Sequence, residues 1–321
     1  MFCIYCGTSF ASATMISCFK CGKTLYRPTT VDAPAVRQQS EFVLKKQGQG
    51  TPGNFEAEFE LLESLGVGGM AEVFRARYRQ APNLVVAVKQ MHDSLTQDIN
   101  LLERFKREAQ THMRLEHANI VTVSRYYECP KLRIVMEFVE NGTVERFLKR
   151  QNVLPPSVVA SILMDLVDAL EYYSYRLTPS VVHRDIKPSN IMLDRNLMPK
   201  LVDFGIALAC GGKRLTRGGV IGSLAYMAPE QILGREIDGR SDQFALGVTV
   251  FQMLTGAMPL TAREEYELQD KILKMHPPPP TSLNRLLQPA WNNILGTMMA
   301  KEPANRYQSL AKLKNELRPL L

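Results

Sequence analysis

From about Phe59 onward the chain alternates two kinds of hydrophobic pattern. The stretches "FELLESLG", "AEVFRARY" and "LVVAVKQM" alternate apolar with polar positions or concentrate β-branched residues, which predicts strands. "DINLLERFKREAQTHMRLEH" then puts Leu101, Leu102, Phe105, Ala109, His112 and Met113 along one side of a helix. Two more strands are predicted around "IVTVSRYYE" and "LRIVMEFV". After Gly142 the spacing turns helical, with Val158, Val159, Ile162, Leu163, Leu166, Val167 and Leu170 recurring every third or fourth position. "QFALGVTVFQML" is apolar nearly all round and predicts a buried central helix. A sheet-rich piece joined to a larger helical piece predicts a two-lobed α+β fold.

The front of the chain has a different texture. Residues 1–26 form a small cysteine-paired unit, and residues 27–57 have the composition of a flexible linker, with "RPTTVDAPAV" and "KKQGQGTPGN". Residues 58–321 make up the large unit, in which "PPPP" at 277–280 reads as a stiff extended connector. No internal repeat is found. The 321 residues are 45% hydrophobic and 22% charged, ordinary values for a globular protein. The longest apolar candidate, "VLPPSVVASILMDLVDALEYY", is broken by Asp165, Asp168 and Glu171, and the N-terminus lacks a signal-peptide pattern. These features predict a cytoplasmic protein with no membrane association. The net charge of +7 suits anionic partners but selects none of them.

The candidate chemistry lies in the large unit. "LGVGGMAEVF" places Gly66, Val67, Gly68 and Gly69 between two strand segments, where glycine lets backbone N–H groups approach phosphate oxygens. A plain hairpin is an equal reading, and no helix follows as a Rossmann turn or a P-loop requires. Lys89 closes the apolar strand "VVAVK" and by itself reads as a lysine snorkelling at a strand end. Glu108, however, falls about 20° from Leu101 on the helical wheel, at the edge of the apolar stripe, where a carboxylate needs a cation. Lys89 is the candidate.

"VVHRDIKPSNIML" (residues 181–193) sets ionisable and amide groups between two apolar runs that resemble buried strands. Thirteen residues after Asn190, "LVDFG" is another apolar strand ending at Asp203. Asp185, Asn190 and Asp203 offer hard oxygen ligands and a base, which suits Mg²⁺ bridging phosphates. Each alone is more often a turn residue. Their order along the chain, with Lys89, Glu108 and the glycine turn, argues for a shared function.

With "VAVK", "HRDIKPSN", "DFG" and "APE" (Ala228–Glu230) in order and at matching spacing, residues 59–318 resemble a eukaryotic-type protein kinase, and bacterial Ser/Thr kinases most closely. The resemblance implies a bilobal fold and an activity: transfer of the ATP γ-phosphate to Ser or Thr of proteins, including the chain itself. It implies that the 66–71 loop and Lys89 hold phosphates, with Glu108 bracing Lys89. Asp203 and Asn190 would hold Mg²⁺, Asp185 would take the hydroxyl proton, and Lys187 would stabilise the transferring phosphoryl group. Val73, Ala87 and Met192 would enclose the adenine, with Met136 at its back and Glu137 and Val139 offering backbone hydrogen bonds. Arg306 is placed to pair with Glu230. The competing readings are a nucleotide-binding pseudokinase scaffold, against which Lys89, Asp185, Asn190 and Asp203 are all present, and a nucleic-acid adaptor acting through the cysteine-paired front unit.

Departures from the family pattern lie in the glycine loop, where Ala71 replaces the third glycine, and in Ser223, which replaces a threonine but keeps its hydroxyl. Arg184 beside Asp185 implies switching by a phosphorylated residue, and Thr216 is the expected site. A basic loop that is never phosphorylated is the alternative.

Cys3-x2-Cys6-Gly and Cys18-x2-Cys21-Gly are separated by eleven residues, the spacing of two knuckles converging on Zn²⁺. Disulfides are disfavoured by the cytoplasmic profile, and so short a unit needs a staple. The unit resembles a zinc ribbon; iron in a rubredoxin-like site is a minor alternative. Its partner stays open between a protein, the kinase lobes themselves and a nucleic acid. Nucleic acid is the least expected, because its basic and aromatic residues more often cover the metal. Cys129 and Cys210 read as ordinary thiols.

Overall fold

A computed structural model describes residues 54–128, 130–204 and 220–321. The paired cysteines, Cys129, Cys210 and Thr216 lie outside the described residues. The described chain divides into two compact units: residues 54–140, and residues 141–204 with 220–321.

The first unit opens with a short helix, α1 (Phe55–Glu58), and builds a sheet from β1 (Phe59–Val67), β2 (Ala71–Tyr78), β3 (Val85–Met91), β4 (Val123–Tyr127) and β5 (Arg133–Glu137). All neighbours are antiparallel, in the order β1-β2-β3-β5-β4. The predicted helix is α2 (Ile99–Met113), capped by Asp98, whose carboxylate accepts from the N–H groups of Asn100 and Leu101. Leu101, Phe105, Ala109 and His112 of the expected stripe are buried. Phe55, Phe59, Ala76, Val86, Val88, Tyr127 and Val135 form a hydrophobic cluster on the sheet. Phe55 is 1% exposed, stacks on Phe59 at 5.2 Å and carries the Arg133 guanidinium over its ring at 4.1 Å. The folded unit therefore begins by Phe55, inside the segment read as linker. An apolar ring four positions before the first strand is too isolated to announce itself by periodicity.

The second unit is mostly helical: α3 (Val144–Gln151), α4 (Pro156–Glu171), α5 (Val220–Leu224), α6 (Pro229–Ile232), α7 (Gly239–Thr255), α8 (Glu265–Lys274), α9 (Pro280–Leu283), α10 (Ala290–Met298) and α11 (Leu310–Leu317). A small antiparallel ribbon, β6 (Ile191–Leu193) with β7 (Pro199–Leu201), lies between α4 and α5 in the chain. α7 is the expected central helix. Nearly every residue from Gly239 to Leu254 is buried, with α4, α9 and α10 packed around it. It stops at Gly256, whose left-handed φ of 71° and the Asn152 side chain, 2.5 Å from where a Cβ would stand, both require glycine.

One expectation is corrected here. Val181 and Val182 are not a strand. Their segment is held instead by the Val181 N–H donating to the Tyr173 carbonyl at 2.9 Å and by the Ser174 hydroxyl donating to the Val181 carbonyl at 3.3 Å. Both partners lie in the π-turn Tyr172–Arg176 that extends α4. The polar loop thus runs from an irregular anchored segment into β6, not between two strands.

Candidate active site

The loop 183–190 is organised by one buried carboxylate, Asp242 of α7. Its Oδ2 accepts from the His183 N–H at 2.7 Å and the Tyr173 hydroxyl at 3.1 Å, and its Oδ1 accepts from the Arg184 N–H at 2.7 Å. Burial pushes the Asp242 carboxyl above its ordinary range, against the pull of His183 and these donors. Burial likewise drives the Tyr173 hydroxyl well up, so it stays a donor. The His183 ring is fully buried, bonds the Val202 carbonyl through Nε2 at 3.0 Å and packs against Phe204 at 4.5 Å. Phe204 also meets Tyr173 edge-on at 5.2 Å.

These anchors hold two residues in left-handed backbone conformations that non-glycine residues rarely adopt: Arg184 at φ 69° and Asp203 at φ 55°. Such strain costs of order 1–3 kcal/mol per residue and persists only where surroundings enforce it. At Arg184 the enforcement is the Asp242 clamp and the Gln231 amide, which donates to the Arg184 carbonyl at 3.2 Å. Both strained residues were singled out in the sequence, whereas Asp242, Tyr173 and His183 were not. A charged residue at the head of an otherwise apolar helix was the available signal for Asp242.

Asp185, Lys187, Asn190 and Ser223 are brought together. The Lys187 ammonium donates to Asp185 Oδ1 at 3.0 Å and Oδ2 at 2.8 Å, and to the Ser223 hydroxyl at 3.0 Å. The Asn190 amide donates to the Asp185 carbonyl at 2.8 Å and to its Oδ2 at 2.9 Å. Lys187 and Asp185 are each about a quarter exposed or less, so the pair is open to an incoming group on one side. The Asn190 carbonyl accepts from the Val202 N–H at 3.0 Å, which keeps the residue before Asp203 beside the loop. Asn190 spends its amide hydrogens on Asp185, and its Oδ1 accepts from the Ser189 hydroxyl at 3.4 Å, which leaves that oxygen a second lone pair; with the Asp203 carboxylate this is an all-oxygen donor set that fits Mg²⁺.

In the sheet unit the Lys89 ammonium donates to Glu108 Oε1 at 2.7 Å, with both side chains mostly buried. This is the pairing expected from the helical wheel. Val73 stands opposite Lys89 across β2–β3, and Ala87 stands opposite Met136 across β3–β5. Cross-strand partners share a face, as do positions two apart, so Val73, Ala87, Lys89 and Met136 lie on one face of the sheet. The Glu137 N–H donates to the Thr122 carbonyl at 2.9 Å, so a bond from Glu137 to a base has to come from its carbonyl. Val139 is buried just beyond. The glycine turn is closed by the Gly68 N–H donating to the Ala71 carbonyl at 2.8 Å. Met192 sits in β6 of the other unit, bridged to Thr143.

Further along, Glu230 and Arg306 form the expected pair, buried and bidentate at 2.6 and 2.8 Å. Arg306 also donates to the carbonyls of Ala300, Arg240 and Lys301, and Ser241 donates to Glu230 at 2.5 Å. Burial raises the Glu230 carboxyl and Arg306 and Ser241 lower it; the lowering prevails.

Comparison with known proteins points the same way. The family model described as "Protein kinase domain" matches residues 59–316. The chain is 34% identical over 275 residues to the serine/threonine-protein kinase PknB of Mycolicibacterium smegmatis, covering 83% of this chain and 43% of that protein. It is 33% identical over 261 residues to a probable serine/threonine-protein kinase of Clostridium perfringens, covering 81% and 38%. A probable serine/threonine-protein kinase of Streptomyces coelicolor matches at 34% over 278 residues, covering 84% and 41%. The chain thus spans less than half the length of these curated relatives. A family model matched along most of the chain, on a fold that assembles the polar loop around Asp185, places this chain in the protein kinase family.

Proposed function

We propose that the chain is an ATP-dependent Ser/Thr protein kinase. The observation that carries this reading is the cluster of Asp185, Lys187, Asn190 and Ser223 within hydrogen-bond reach of one another. Asp185 orients an acceptor hydroxyl and takes its proton as the oxygen bonds to the γ-phosphorus and the bond to the β-phosphate oxygen breaks, leaving ADP. Lys187 offsets negative charge on the phosphoryl group in flight. Lys89, held by Glu108, and the 66–71 loop bind the phosphates. Adenine binds against Val73, Ala87, Met136 and Met192, with hydrogen bonds from the backbone of Glu137 and Val139. Asn190 and Asp203 hold Mg²⁺, which neutralises phosphate charge when bound. Almost all the catalysis is positioning and electrostatics, which is why so much of the fold is spent on fixing this loop.

The serine/threonine kinases among the relatives support Ser or Thr of a protein as acceptor. We assign Thr216 as the autophosphorylation site that pairs with Arg184. Cys3, Cys6, Cys18 and Cys21 are assigned to Zn²⁺ in a ribbon that docks a protein partner, supported by their knuckle spacing. Among the described residues no helix is long and apolar enough to cross a membrane.

The test is phosphotransfer from Mg²⁺-ATP by the zinc-loaded chain to itself and to a basic protein acceptor, with phosphosites mapped by mass spectrometry. Label on Ser or Thr that disappears in Asp185→Asn supports the reading. ATP binding without transfer by the unaltered chain sinks it in favour of a nucleotide-binding scaffold.

A further inference from the structure

The glycine turn carries a contact that its sequence motif does not contain. His92 follows β3 directly, and its backbone N–H donates to the Met70 carbonyl at 3.1 Å. This adds one rung beyond the Ala71–Met91 pair of the β2–β3 ladder. From that position the ring turns back over the turn, and Nε2 lies 2.8 Å from the Gly68 carbonyl oxygen. A carbonyl can only accept, so Nε2 carries the proton. Gly68 is thereby held at both ends of its backbone: its N–H by Ala71 and its C=O by His92.

The consequence follows from peptide geometry. The Gly68–Gly69 bond is trans, since the one cis bond among the described residues is Thr178–Pro179. In a trans peptide the C=O and the following N–H lie in one plane and point in opposite directions. Fixing the Gly68 carbonyl toward His92 therefore turns the Gly69 N–H away from it. A glycine peptide without this restraint flips readily, because neither flanking residue has a Cβ to bias it. Gly68 has little room on its own account: a Cβ there would meet the Ala71 carbonyl at 3.3 Å.

We infer that His92 is a positioning residue for the nucleotide phosphates, pre-setting the Gly68–Gly69 peptide so that the Gly69 N–H is available as a phosphate donor. The inference rests on the kinase reading, because that reading makes the 66–71 loop the phosphate cradle. The ring stands one residue past the end of the strand that carries Lys89, so the residue that closes the lysine's strand also holds the loop.

Binding of Mg²⁺-ATP and of adenosine is measured by calorimetry on the full chain and on two variants. His92→Phe keeps a ring but has no N–H; His92→Gln keeps an amide donor at a similar reach. One exposed hydrogen bond is modest, so His92→Phe is expected to weaken Mg²⁺-ATP about three- to tenfold. Adenosine, which has no phosphates, binds all three proteins alike, and His92→Gln restores most of the ATP affinity. Equal ATP affinity in His92→Phe and the unaltered chain overturns the inference while leaving the kinase reading intact. So does a parallel loss of ATP and adenosine affinity, which marks general damage to the sheet. Failure of the unaltered chain to bind Mg²⁺-ATP overturns both.

Discussion

At the scale of single residues, the chemistry depends on a few polar contacts made in nearly dry surroundings. The Lys89–Glu108 pair is mostly buried, so Glu108 acts through the direction it gives the lysine. Glu108→Gln keeps the shape and removes the charge; it is expected to lower kcat/KM by up to about 100-fold, the scale of a small misplacement at a reacting centre. Steady-state kinetics against Mg²⁺-ATP check this. Asp185→Asn removes the proposed proton acceptor and is expected to cost about 10²–10⁴-fold in kcat with little change in ATP affinity. A large loss of ATP binding in that variant would assign Asp185 to the nucleotide, not to the acceptor hydroxyl.

At the scale of elements, two buried carboxylates tie the helical unit together with opposite pH signatures. Glu230 at the start of α6 is joined to Arg306, and the guanidinium has no exposed side-chain surface. Arg306→Ala leaves that carboxylate buried without its partner, at a cost of about 3–5 kcal/mol. Urea unfolding at neutral pH measures it. Glu230 has its folded pKa depressed below the ordinary 4.5, so its contribution is full above that value and is lost as pH falls through the lower folded value. Asp242 runs the other way: burial raises its pKa, so acidification relieves a penalty in the fold. Acid lability below pH 4.5 is therefore expected to shrink in Glu230→Gln and to persist in Asp242→Asn. The urea midpoint followed against pH separates the two, and an unchanged acid limb in Glu230→Gln refutes the assignment.

For the whole molecule, the informative boundary is at the start of the fold. Phe55, Phe59 and Tyr127 form an aromatic cluster, and Glu58 of α1 receives the Tyr127 hydroxyl at 3.1 Å and pairs with Arg125. Burial raises Tyr127 to about 12, so its hydroxyl remains a donor across the neutral range. A chain beginning at residue 59 loses this packing and is expected to unfold at a lower temperature than one beginning at residue 54. Phe55→Ala alone is expected to cost about 3–5 kcal/mol. Thermal unfolding of the two truncated chains, and of Phe55→Ala beside the full length, decides it; equal midpoints would show that α1 adds nothing.

Most of the elements and the identity of the chemical groups were legible from neighbouring residues alone. Strand alternation, the helical stripe of α2 and the all-round apolarity of α7 are local properties, written in runs of neighbouring residues. The Lys89–Glu108 pair was legible because fixed spacing along a helix fixes direction, and the loop "HRDIKPSN" because it resembles a kinase motif. What holds those groups in place emerges only from contacts between distant segments. Asp242 reaches back to the backbone of His183 and Arg184, and its value lies in two N–H groups that no side-chain pattern records. Val181 and Val182 carry a strand-like composition, but Val181 finds its partners in a π-turn, because the backbone bonds available there outweighed propensity. Phe55 and His92 acquire their roles from contacts that the chain makes only once folded. Sequence patterning records which face a residue turns to the core; it does not record which distant backbone group completes the hydrogen bond.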